Sequence, residues 1–246
     1  MRRHLFLLLT FAAFLIGLYI AVLPAINEIL FREKMEQTVS NFQEEIMQRP
    51  PEAPDPSTTG IAEYIPSIYP ELWKDIASYN HQLYQAGQES ISGLSTLEKS
   101  NFTLSGYGLE GETFGILSIP ALQLEMPIYL GASSQNMALG AAVLGQTSVP
   151  VGGTNTNSVI AGHRGWNGAD YFRYVPDLTV GDKVVITNLW ETLEYSVVGT
   201  KIISPNDIAS IKIQPGKDMI TLFTCHPYAS GGRQRFLVLC ERINND

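Results

Sequence analysis

Short apolar runs separated by turn residues fill the second half of the chain and limit the folds open to it. After Gly111 these runs are rich in β-branched and aromatic residues: GILSIP, LEMPIYLG, NSVIAGH, DKVVIT, TLEYSVVGTKII, DMITLFTC and RFLVLCER. Several short strands at this spacing are typical of an all-β barrel or sandwich. We therefore expect a mainly β domain over residues 111–246.

The N-terminus carries two arginines followed by an uncharged apolar run. Residues 5–26 are long enough to cross a bilayer as a helix. A cleaved secretory signal usually has a shorter apolar core and a small-residue cleavage site, and the VLPA that ends this run is a poor match to such a site. We expect residues 1–26 to be an uncleaved signal-anchor, with a cleaved signal as the alternative. The positive-inside bias predicts that the rest of the chain lies outside the cell.

Residues 27–110 read as a helical and loop extension between the anchor and the β domain. Residues 27–49 mix charged and apolar positions at three- and four-residue spacing, which predicts a helix that continues outward from the membrane. Residues 50–60 contain four prolines and must break it. A second helix is expected over Pro70–Gln85, and the Gly/Ser-rich residues 86–108 read as a loop.

Composition and charge exclude several classes of function. The chain has 246 residues and a formal net charge of -8, which makes nucleic acid an unfavourable partner on bulk charge. It contains no zinc-type Cys/His spacing, no phosphate-binding glycine loop and no internal repeat. Candidate chemistry must therefore come from individual side chains.

Both cysteines belong to the predicted closing hairpin, in which MITLFTC ends at Cys225 and RFLVLCER returns. In an antiparallel pair the end of one strand lies near the start of the next, so Arg235 should be close to Cys225. Cys240 then lies about 17 Å further along the strand, whereas a disulfide needs Cα atoms within roughly 7 Å. We expect Cys240 to be a packed free thiol. A cation beside Cys225 favours its reactive thiolate, although a buried small residue is the alternative interpretation.

A thiol nucleophile needs a proton partner, which is usually histidine. Among the four histidines, His4 belongs to the other side of the membrane, and His81 lies among polar residues of a predicted helix. His226 adjoins Cys225 but points away from it if the chain stays extended. His163 ends the run NSVIAGH, and strand ends are where functional residues concentrate. His163 is therefore the best candidate, with a structural turn histidine as the alternative.

Together these segments resemble a known family. TLFTC is similar to the TLxTC signature of sortases, the membrane-anchored transpeptidases of Gram-positive surfaces, and AGHRG resembles the segment around their catalytic histidine. The ordered set GILSIP, MPIYLG, VGGTNTNSVIAGHRG, TLFTCHPY and QRFLVLCER looks most like the pilin-polymerising class C enzymes. The resemblance implies an eight-stranded sortase-type β-barrel.

The resemblance also implies roles for particular residues. Cys225 would be the nucleophile, His163 the proton donor and acceptor, and Arg235 the group that stabilises the substrate carbonyl or oxyanion. Thr224 comes with the motif as a substrate-binding neighbour. Arg233 is a rival to Arg235, which the QR before an apolar strand favours.

The implied substrates are pilins or other surface proteins that carry an LPxTG-like motif. A thioacyl-enzyme would be resolved by an amine, for class C a pilin lysine, and no metal or organic cofactor is needed. Three alternatives remain: a housekeeping-type sortase that anchors proteins to the cell wall, a Cys-His peptidase that releases product to water, and a membrane-tethered β-barrel that only binds surface proteins.

Residues 86–108 are the region in which class C enzymes generally carry an inhibitory lid with an Asp-Pro-aromatic triplet. No such triplet is present here. The sequence therefore predicts a mobile segment and an accessible Cys225 thiol, with Glu89 or Phe102 as a weaker plug in the alternative case.

Overall fold

A closed barrel of eight strands forms the body of the protein. The structure is a computed structural model that describes residues 2–48, 65–89 and 97–243. The strands are β1 (Thr113–Ile119), β2 (Leu124–Leu130), β3 (Ala141–Val143), β4 (Thr156–Ala161), β5 (Arg164–Trp166), β6 (Ala169–Tyr171), β7 (Lys183–Asn188), β8 (Thr192–Ile203), β9 (Asp218–His226) and β10 (Gln234–Arg242). The helices are α1 (Arg2–Met47), α2 (Pro70–Gln85) and α3 (Ser134–Leu139). The mainly β fold with an eight-stranded barrel and N-terminal helices is confirmed.

The strands follow one another around the barrel in the order β1-β2-β3-β4-β9-β10-β8-β7. Most neighbouring strands are antiparallel, and two pairs are parallel. β2 pairs with β3, and β4 pairs with β9, in the parallel sense, and β1 closes the barrel on β7. Closure gives every strand two neighbours, so the sheet presents no edge for uncontrolled pairing. Strands β5 and β6 form a separate two-stranded hairpin immediately after β4.

The barrel interior is filled by alternate side chains of its strands. In β7 the buried positions are Val184, Ile186 and Asn188, while the positions between them are less buried. This period of two is what a strand needs to fill one face of a sheet. The central β9 is buried on both faces, because a second, smaller cluster that includes Phe223 and Leu237 covers the outer side of β9 and β10.

Helix α2 has the bounds that the sequence predicted, and it packs on the barrel through one face. Leu72, Ile76 and Leu83 are buried at helical spacing. Asn80 is also buried, and its side-chain amide is satisfied by the backbone of Val149: Nδ2 donates to the carbonyl at 3.0 Å and Oδ1 accepts from the N–H at 2.9 Å. These two bonds attach the helix to the segment that precedes β4.

Helix α1 has two parts with opposite environments. Residues 3–22 are exposed along their whole length, and among the described residues α1 is the helix long and apolar enough to cross a membrane. Further along, Met35, Val39 and Phe42 are buried against the barrel core. The helix predicted over residues 27–49 is therefore present, as a continuation of the first helix as far as Met47.

The two segments predicted to be irregular are described only in part. The proline-rich residues 50–60 lie outside the described residues, and so do residues 90–96. Within the part of 86–108 that is described, Leu97 and Leu104 are buried, so this stretch packs on the barrel. The prediction of a mobile segment is not supported at these two positions, where apolar side chains pack into the core.

Replacing Asn80 by alanine should lower the free energy of unfolding. The change leaves the Val149 N–H buried without a partner, which costs about 1–3 kcal/mol, whereas the Val149 carbonyl still accepts from the Val151 N–H at 2.8 Å. Chemical denaturation of the full chain in detergent measures the loss. Gln82→Ala, on the exposed face of the same helix, is the control and should stay close to the parent. Equal stability of the two variants would contradict the docking of α2 described above.

Candidate active site

The parallel pairing of β4 with β9 brings His163 and Cys225 to one end of the barrel. The last paired residues are Ala161 and Phe223, and the N–H of Gly162 donates to the Phe223 carbonyl at 3.1 Å. Because parallel strands run in the same direction, the residues two positions further along each strand emerge at the same end. Those residues are His163 and Cys225. The structure therefore brings together the two residues that the sequence singled out separately.

The backbone before His163 is held by close packing and by a buried hydrogen bond. A Cβ atom on Gly162 would lie 2.5 Å from the Phe172 ring, so this position has no room for a side chain. Thr224 is 1% exposed, and its hydroxyl donates to the Gly162 carbonyl at 2.8 Å. This bond thus joins Thr224, the residue before Cys225, to Gly162, the residue before His163.

The imidazole of His163 lies between two aromatic rings. It stacks on Trp166 with ring centroids 4.8 Å apart and an interplanar angle of 15°. Tyr171 meets it edge-on at 5.7 Å. Burial lowers the pKa of His163 below its usual value of 6.5. At neutral pH the ring is therefore mostly uncharged and can accept a proton.

Arg235 and Cys225 occupy facing positions on β10 and β9, as the sequence predicted. Gly232 borders both side chains: a Cβ atom there would lie 3.0 Å from Nη1 of Arg235 and 3.3 Å from Sγ of Cys225. Arg235 Nη1 donates to the Gly232 carbonyl at 2.5 Å and to the Gln234 carbonyl at 3.0 Å. These bonds hold the guanidinium beside the half-buried thiol. Arg233, by contrast, is exposed and precedes the strand.

A second arginine, which sequence reasoning missed, also lies next to Cys225. Arg164 Nη1 is 2.7 Å from Nδ1 of His226 and 3.4 Å from the carbonyl of Cys225. Since arginine can only donate, Nδ1 of His226 is the acceptor and the proton of the neutral ring is on Nε2. His226 is thus held by Arg164 at its Nδ1. The signal in the sequence was the arginine directly after His163 in GHRG.

Cys240 is far from this group, and both cysteines are free. It pairs with Ile220, near the opposite end of β9 from Cys225, and it is fully buried. Burial raises the pKa of the Cys240 thiol to about 12, so the thiolate form is suppressed. The predictions that the chain forms no disulfide and that Cys240 is a packed free thiol are confirmed.

The two residues predicted as possible plugs lie elsewhere. Glu89 is exposed and follows Gln88. The Gln88 side chain accepts a hydrogen bond from the N–H of Ile213, which lies just before the start of β9. Phe102 packs edge-to-face on Tyr79 of α2 at 5.4 Å. Cys225 lies at the other end of β9, so neither residue covers the thiol.

Comparison with known proteins finds matches over the part of the chain that carries these residues. The family model for the sortase domain matches residues 117–243. The chain is 28% identical over 135 residues to a protein named "Sortase D" from Bacillus subtilis, covering 54% of this chain and 65% of that relative. It is 31% identical over 114 residues to "Sortase A" of Bacillus anthracis, covering 46% and 52%. The matches thus span between about half and two thirds of these curated relatives.

Solved structures extend the similarity to the N-terminal helices. Sortase C from Clostridium perfringens superposes with a TM-score of 0.62 at 30% identity, covering 85% of this chain and 99% of that one. Sortase C-1 from Streptococcus pneumoniae gives 0.63 at 28% identity, covering 85% and 100%. The family match covers more than half of the chain, including His163, Cys225 and Arg235. The chain belongs to the sortase family.

Proposed function

We propose that this protein is a membrane-anchored cysteine transpeptidase that cleaves an LPxTG-like sorting motif and joins the acyl fragment to an amine. The observation that carries the proposal is the convergence of His163, Cys225 and Arg235 at one end of the barrel. The parallel β4–β9 register and the antiparallel β9–β10 register produce it together.

Cys225 supplies the nucleophile, and His163 handles the proton. The neutral imidazole takes the thiol proton, and the thiolate attacks the carbonyl of the threonine in the sorting motif. The peptide C–N bond breaks as the thioester forms, and His163 returns its proton to the departing amine. An incoming amine then attacks the thioester, forms the new amide and releases the thiol.

Arg235 supplies fixed hydrogen-bond donors where negative charge develops on the substrate oxygen. Its bonds to the Gly232 and Gln234 carbonyls hold the guanidinium beside Cys225 before substrate arrives. A donor that is oriented in advance stabilises the transition state without reorganising during the reaction. The Thr224 hydroxyl donates to the Gly162 carbonyl. Thr224 therefore acts as a positioning residue, because this bond joins the backbone segments that carry His163 and Cys225.

The acceptor amine in this proposal is a pilin lysine. Support comes from the sortase C structures, which match this chain through both the barrel and the helices, and one of which is described as a "Pilus-related Sortase C of Group B Streptococcus". Cell-wall anchoring is the second candidate, because relatives named sortase A also match. Incubation with candidate pilins, followed by mass spectrometry of the linkage, distinguishes polymerisation from anchoring and from hydrolysis.

The membrane part of the proposal rests on α1. Arg3 lies at the start of the exposed apolar helix, and the barrel follows its other end. The positive-inside bias then puts the arginine end in the cytoplasm and the barrel outside the cell.

Cys225→Ala should abolish both the acyl-enzyme and the transpeptidation product while leaving the fold intact. The chain has two cysteines, and the other one is buried away from the site. Cys240→Ala is the matched control and should keep most of the activity. Intact mass of the enzyme after mixing with an LPxTG peptide, with circular dichroism for the fold, measures both. An inactive Cys240→Ala beside an active Cys225→Ala would overturn the assignment.

Arg235→Ala should lose far more activity than Arg233→Ala. Loss of one donor to a developing oxyanion lowers the rate by about 10²–10³. Arg235→Lys should not restore activity, because a point charge does not reproduce the planar fork of a guanidinium. Steady-state transpeptidation with a peptide and an amine acceptor provides the comparison, and equal losses at the two arginines would contradict the proposal.

The acid limb of kcat/KM should have its midpoint below pH 6.5, because burial lowers the pKa of His163 from that value. Activity requires the neutral ring, so it is complete above the folded pKa and is lost as the pH falls through it. Trp166→Ala removes the stacked ring and should move the midpoint upward, toward 6.5. His226→Asn should leave the midpoint unchanged. A midpoint that responds to His226→Asn and ignores Trp166→Ala would mean that another group controls the limb.

A further inference from the structure

The barrel end that carries the site is attached to α1 at the point where its apolar run ends. From Leu5 to Pro24 the helix rises about 30 Å, which equals the usual thickness of the hydrocarbon core. The tip of the β5–β6 hairpin touches the helix at this level: a Cβ atom on Gly168 would lie 2.6 Å from the Pro24 carbonyl oxygen. With the span proposed above, the hairpin therefore lies at the height of the outer membrane–water boundary.

Two further contacts hold the hairpin against the helix just beyond that level. The backbone N–H of Asp170 donates to a Glu28 carboxylate oxygen at 3.1 Å. The rings of Phe31 and Tyr171 pack with centroids 4.1 Å apart. Because Tyr171 also meets His163 edge-on, the helix, the hairpin and the candidate active site form one packed unit.

Large aromatic side chains surround the hairpin and are open to solvent. Trp166 is 49% exposed, Tyr174 45% and Tyr228 50%, and among the described residues outside α1 these are the exposed large aromatics. The Arg173 guanidinium lies over the rings of Tyr174 at 5.5 Å and Tyr228 at 4.9 Å. We call Trp166, Arg173, Tyr174 and Tyr228 the aromatic rim.

The chemistry of the aromatic rim fits a lipid headgroup layer. Tryptophan and tyrosine concentrate at membrane boundaries, where an apolar ring meets polar headgroups. The Arg173 guanidinium adds a donor for lipid phosphate. Two of the carboxylates nearby have partners: Glu28 binds Arg32 and the Asp170 N–H, and Asp170 pairs with Arg173. The chain carries a net charge of -8, so the helix tether, rather than bulk attraction, brings the rim to the membrane.

We infer that the aromatic rim docks on the outer lipid headgroup layer beside α1, so that the candidate active site opens at the membrane surface. Trp166 belongs to both the aromatic rim and the candidate active site, because the ring that enters the headgroups is also the ring stacked on His163. The inference rests on the proposed membrane anchor and deepens the proposed function.

Tryptophan fluorescence tests this directly, because the chain has three tryptophans and none lies in α1. Trp73 and Trp190 pack on each other, and Trp190 precedes β8. About 35 Å of strand separates the start of β8 from Ile203, which pairs with Arg235 at the site end. The full chain is reconstituted in phosphatidylcholine vesicles with and without brominated acyl chains. The Trp166 emission is obtained by subtracting the spectrum of Trp166→Phe. We expect bromine to remove most of this emission and to leave the emission of Trp73 and Trp190 unchanged.

A matched pair of reporters checks the rest of the rim. In the Trp166→Phe background, a tryptophan that replaces Tyr174 should be quenched by bromine, whereas one that replaces the exposed Thr192 at the start of β8 should not. Equal quenching at both positions, or none at Tyr174→Trp, would overturn the inference. So would a Trp166 signal that ignores brominated lipid and responds only to an added sorting-motif peptide, because the rim would then be a protein-binding surface.

Flotation of the vesicles separates failure of the anchor from failure of the rim. A chain that does not float with the vesicles contradicts the proposed span itself. A chain that floats but shows no bromine quenching of Trp166 contradicts the docking of the rim alone. Transpeptidation by the same sample in detergent reports independently on the proposed chemistry.

Discussion

The parallel contact between β4 and β9 is the constraint on which the rest of the site depends. It aligns two strands whose ends carry His163 and Cys225, and it is closed by the Thr224 hydroxyl on the Gly162 carbonyl. Both groups of that hydrogen bond are away from water, so losing it would leave a buried polar group without a partner, at a cost of about 1–3 kcal/mol. The bond therefore stabilises the barrel and sets the spacing of the two reactive residues at once.

Two glycines leave space around the candidate active site, and two arginines place positive charge near the Cys225 thiol. Gly162 lets the chain pass against the Phe172 ring, and Gly232 leaves the space that Arg235 and Cys225 both border. Arg235 and Arg164 then place two cations near Cys225, each held by backbone carbonyls or by His226. Guanidinium groups suit this arrangement because they stay charged and offer several fixed donors.

Helix α1 is joined to the barrel by packing rather than by a flexible tether. Its outer part contributes Met35, Val39 and Phe42 to the barrel core, and its middle part holds the β5–β6 hairpin. A helix that belongs to the core cannot swing freely, so the barrel is expected to keep one face toward the lipid. In the arrangement that we infer, the candidate active site lies on that face, beside Trp166 and Tyr171.

The sequence by itself determined the elements whose signals are local. Periodicity and turn residues predicted a β domain and the helix Pro70–Gln85, and the closing hairpin predicted Arg235 opposite Cys225, because adjacent strands pair in a register set by their own turn. The same local reasoning excluded a disulfide to Cys240. Only the tertiary structure decided the parallel β4–β9 register, the stacking of Trp166 on His163 and the contact between Arg164 and His226. These interactions join segments that are distant in the sequence or that meet across a turn, and their geometry depends on how the whole barrel closes.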